Sequence, residues 1–85
     1  MSKYNEILMQ HIDENLLVEM TKELVRIPSY EGVQGQETKT AEHIKALFDK
    51  EGIPAHIEEV QDGRSNVYAL LKGSGNGKTL MLSGH

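Results

Sequence analysis

The run Thr79-Leu80-Met81-Leu82-Ser83-Gly84-His85 is apolar through its middle and brings one imidazole to its end. Folded as a buried strand, it would carry His85 to the carboxyl edge of a sheet, where ligands and reacting groups of open α/β sheets collect. An imidazole held there suits metal ligation or acid/base work. Gly84 would let the backbone approach a neighbouring element closely, and the apolar residues behind it would hold the ring rigidly. Its chemical partners do not accompany it. No catalytic group is expected within the chain, and the chain is expected to be the front of something longer.

The remaining candidates have blander readings. His11 falls within or before a first helix, His43 within a second, and His56 on an outer strand beside Glu58 and Glu59; all three are expected to be solvated. His56 and Glu58 share a strand face and could take a stray metal ion, but such i, i+2 pairs on an edge strand are mostly solvated side chains. Glu31 lies in a loop between two helices, where it could line a cleft, although a solvated loop carboxylate is the stronger expectation. Ser29 has no base near it in sequence, so its hydroxyl is expected to bond locally in the turn. Asn66 is expected to help fix the turn after Asp62-Gly63. The segment Gly73-Ser74-Gly75-Asn76-Gly77-Lys78-Thr79 invites comparison with a phosphate-binding loop, G-x-x-x-x-G-K-[ST]. It misses that template by one place, because Lys72 stands where the first glycine belongs. A helix N-terminus should also follow to face the phosphates, whereas Leu80-Met81-Leu82 reads as a strand. A hairpin loop is the expectation.

Composition narrows the function classes. The 85 residues are 38% hydrophobic and 26% charged, close to ordinary globular usage, so disorder is not suggested. A single domain at most fits this length, with little stability margin. With 9 basic against 13 acidic residues the formal charge is −4, and no basic stripe with interleaved aromatics is present, so nucleic acid is not an expected partner. There is no cysteine, so any metal would be held by His, Asp, Glu or other oxygen ligands. The N-terminus lacks the apolar core of a signal peptide, and no stretch approaches the ~20 apolar residues of a membrane helix, so a cytoplasmic, non-membrane location is expected.

The elements that must position His85 can be read from periodicity. Leu8, Ile12, Leu16, Met20, Leu24 and Ile27 recur at helical spacing, predicting a long first helix over 7–27, with Asp13 capping a restart inside it. Leu16, Leu17, Met20, Leu24 and Val25 form its expected buried stripe, and Pro28 ends it. A second helix is predicted over 36–51, with Ala41, Ile44, Leu47 and Phe48 inward. Gly52 and Ile53 are placed to close it in a Schellman motif, and Pro54 prevents continuation. Strands are predicted over 55–60, 66–71 and 78–83, joined by the Asp62-Gly63 turn and the glycine-rich segment. The strand over 66–71 reads as apolar on both faces and the deeper of the first two. Short connections favour antiparallel neighbours. The fold class expected is α/β: a partial sandwich of two helices on a three-stranded, largely antiparallel sheet.

Taken together, Glu23-Leu24-Val25-Arg26-Ile27-Pro28-Ser29, the Gly52 stop, Asn66-Val67-Tyr68-Ala69-Leu70-Leu71-Lys72-Gly73 and Leu80-Met81-Leu82-Ser83-Gly84-His85 resemble the N-terminal portion of a zinc-dependent amidohydrolase and exopeptidase family. That family includes acetylornithine deacetylase, succinyl-diaminopimelate desuccinylase, aminoacylase and the glutamate carboxypeptidases. The resemblance runs from Leu16 onward, in order. It implies that residues 1–85 are an incomplete N-terminal part of a metallohydrolase catalytic domain. It also implies a two-zinc site, with cobalt or manganese as other metals, in which His85 ligates one ion and an Asp two residues further on orients its ring. The remaining ligands and a Glu general base would lie far downstream, leaving these residues inactive by themselves. A parent of this kind is implied to cleave the amide bond of N-acyl amino acids or small dipeptides with a metal-activated water. The alternative from another class is a noncatalytic binding module that pairs with a partner, or with a second copy, through the exposed edge of its last strand.

Overall fold

The computed structural model describes residues 3–30, 32, 35 and 37–85. Five elements follow in order: α1 (Lys3–Gln10), α2 (Glu14–Arg26), α3 (Thr38–Lys50), β1 (Ala55–Gln61) and β2 (Arg64–Ala69). The class is α/β, with a two-stranded antiparallel sheet among the described residues.

The predicted first helix is two helices. The capping carboxylate at its centre explains why: Asp13 takes an extended backbone (φ −104°, ψ 105°) and its side chain accepts a hydrogen bond from the Leu16 amide at 3.1 Å. That satisfies one of the amides a helix start leaves unpaired, so α2 begins afresh. Ahead of it, α1 runs out through three-residue bonds, His11 N–H to the Leu8 carbonyl and Ile12 N–H to the Met9 carbonyl. At the other end of α2, Ile27 is extended (ψ 114°), as the residue before a proline prefers.

The expected apolar stripe of α2 is not buried. Leu16, Leu17 and Val25 are exposed, and Met20 and Leu24 are half-buried. The stripe is present in the sequence, but among the described residues no element covers Leu16, Leu17 and Val25 to take them out of water.

The second predicted helix is α3, two residues shorter at its start and one at its end. Its stop is the expected motif. Gly52 has φ +72°, its amide bonds the Asp49 carbonyl at 3.0 Å, and the Ile53 amide bonds the Phe48 carbonyl at 3.0 Å. This double closure is the Schellman pattern. Ala41 is buried at 4% exposure, and Ile44, Leu47 and Phe48 are half-buried beside it. That face packs on the hairpin of β1 and β2.

Strand β1 falls as predicted, extended by one residue to Gln61. Strand β2 begins and ends two residues earlier than predicted. The pair is in register through Ala55 with Ala69, Ile57 with Val67 and Glu59 with Ser65, with an irregularity between Glu59 and Gln61. Alternation sends Ala55, Ile57, Ser65 and Val67 to the half-buried side and His56, Glu58, Asn66 and Tyr68 to water. The expectation that β2 is apolar on both faces and deeper than β1 therefore fails, since one side of the hairpin is solvated. The turn is at Asp62-Gly63 as expected, with Gly63 at φ +74°. Glu59 rather than Asn66 fixes it, its carboxylate accepting the Gly63 amide at 3.1 Å.

The third strand is absent from the sheet. Residues 70–85 carry no strand or helix, and Leu80, Met81 and Leu82 are 81%, 81% and 85% exposed. One ladder bond continues past β2, from the Leu70 amide to the Pro54 carbonyl at 3.1 Å. Beyond it no strand among the described residues accepts the pairing, so β-propensity in 78–83 has nothing to act on. The expected two helices on three strands is corrected to three helices and two strands among the described residues.

Candidate functional site

His85 lies at the end of this unpaired segment and is exposed. The close backbone approach anticipated for Gly84 does not occur: a Cβ built there would meet nothing within 4 Å. The close glycine contact is elsewhere. A Cβ on Gly63 would meet the Gly35 Cα at 3.4 Å, so the hairpin turn lies against the loop that leads into α3.

Two pairs of polar side chains meet at that end of the hairpin. Glu37, immediately before α3, accepts two hydrogen bonds from Arg64 at the start of β2, from Nη2 at 2.7 Å and from Nε at 3.0 Å. Paired parallel bonds of this kind are the preferred meeting of a guanidinium with a carboxylate. One residue further along each element, the Thr38 and Ser65 hydroxyls lie 3.4 Å apart. The hydrogen bonds from Arg64 hold the Glu37 carboxyl below the usual carboxylate range, against the opposing effect of lost solvation. Charge on His85 pulls it in the same direction, more weakly.

The other histidines separate into different settings. His43 is not simply solvated: its Nε2 lies 3.2 Å from a Glu23 carboxylate oxygen, linking α3 to α2, and the side chain is 30% exposed. His56 is exposed on the outer side of the hairpin and stacks on its cross-strand partner Tyr68, ring centres 5.2 Å apart. Tyr68 Oη accepts a 3.4 Å contact from the Asn66 amide nitrogen, which is where that side chain is engaged instead of the turn. His56 and Glu58 remain a solvated pair. His11 is exposed just past α1. Ser29 is half-buried, and Glu31 lies outside the described residues. Within the glycine-rich segment residues 75–77 form a bend and no helix follows, so no helix N-terminus is aimed at a phosphate bound there.

The Glu37 and Arg64 pair does not stand out in the sequence, where one is a polar residue early in the predicted second helix and the other an arginine just after the Asp62-Gly63 turn. Opposite charge was the available signal, but 27 residues separate the two, and many other pairs share it.

Among the described residues, no three or more His, Asp or Glu side chains are placed to hold a metal ion. An imidazole is a zinc donor by type, but catalytic zinc takes about three protein ligands. The described residues therefore do not by themselves make up a zinc centre. No helix of the described residues is long and apolar enough to cross a membrane. Comparison of the chain with protein-family models, with curated proteins and with solved structures returned no match.

Proposed function

We propose that these residues form the N-terminal part of the catalytic domain of a cytoplasmic, metal-dependent hydrolase that cleaves the amide bond of N-acyl amino acids or small dipeptides. In this reading His85 supplies one ligand of a two-zinc site, with cobalt or manganese able to replace zinc, and the other ligands come from elsewhere in the parent protein. The observation that carries the proposal is the ordered pair of segments Asn66-Val67-Tyr68-Ala69-Leu70-Leu71-Lys72-Gly73 and Leu80-Met81-Leu82-Ser83-Gly84-His85. The exposure of Leu80, Met81 and Leu82 supports it, because apolar side chains at a candidate strand call for a covering layer. In the assembled domain 78–83 would add to the hairpin as a third strand and hold His85 at its end. The chain's own contribution to chemistry is then positional, since a rigid backbone behind the imidazole fixes the donor nitrogen.

Two measurements test this. The reading frame after His85 is expected to encode an Asp two residues on, and a stop codon there would overturn the proposal. In the parent protein, His85→Ala is expected to lower metal content and reduce turnover of N-acetyl amino acids or dipeptides by orders of magnitude, while His56→Ala changes little. Survival of both metal content and activity in the His85 variant would make it a structural residue.

The exposed apolar segment also favours a second reading, a noncatalytic module that pairs through a strand edge with a partner or a second copy. A bound partner or a dimer in a parent without metal or hydrolase activity would select it.

A further inference from the structure

We draw no further inference here: the strongest candidate, the shallow apolar depression on α2 formed by Leu17, Val18, Thr21 and Lys22, is an unpartnered helix face, and nothing in the structure shows what covers it.

Discussion

The fold shifts the titration of Glu37. Its carboxyl is held low in the folded chain by the Arg64 hydrogen bonds, so the folded state favours the ionised form more than the unfolded state does. The contribution to stability is therefore full above the ordinary glutamate value and is lost as pH falls through the lower, folded value. Replacing Arg64 with Met should return the Glu37 titration, followed by carboxyl NMR, to the ordinary carboxylate range. The stability difference between the native chain and Glu37→Gln should shrink as the solution is acidified through that window. A Glu37 midpoint unchanged by Arg64→Met would show that the pair does not persist in solution. His43 and Glu23 make the comparable link between α2 and α3, where a single 3.2 Å contact spans two helices.

The elements were legible where their signals are local. Asp13 starts α2, Gly52 and Ile53 stop α3, and Asp62-Gly63 turns the hairpin, each decided by residues within a few positions of one another. Gly52 gives the clearest test, because its φ of +72° is costly for an L side chain while a Cβ there would touch nothing. Gly52→Ala should lower stability by about 1 kcal/mol from the backbone alone, whereas Gly73→Ala, whose φ lies outside the left-handed region, should be neutral within error in the same denaturation experiment. Equal effects at both positions would remove the Schellman closure as a stabilising feature. What sequence could not decide is whether an amphipathic pattern finds something to pack on. The α2 stripe has helical periodicity and the 78–83 segment is apolar through its middle, yet Leu16, Leu17 and Val25 of the one and Leu80, Met81 and Leu82 of the other remain exposed, because burial needs a second surface. The candidate site was legible to the same extent. His85 could be singled out by type and position, but its setting depends on strand pairing, and the Glu37 and Arg64 contact depends on two elements meeting across 27 residues.

At the scale of the molecule, the open apolar segment governs behaviour. Leu80, Met81 and Leu82 face water together, beside backbone groups that no strand pairs, so the 85-residue chain should self-associate at tens of micromolar. Leu80→Lys with Leu82→Lys should reduce that association in sedimentation velocity, since charge on an edge opposes pairing. A monodisperse native chain at that concentration would contradict the expectation. The same double variant allows the isolated chain to be studied by calorimetry, where the lone buried side chain of the described residues, Ala41, has its own effect. Heat-capacity change on unfolding measures apolar surface newly hydrated, about 1 kcal/mol/K for an ordinary globular domain of this length. A chain whose large side chains already meet water should fall well short of that figure, and its free energy of unfolding should then bend only slightly with temperature, giving a broad, low endotherm in place of a sharp peak.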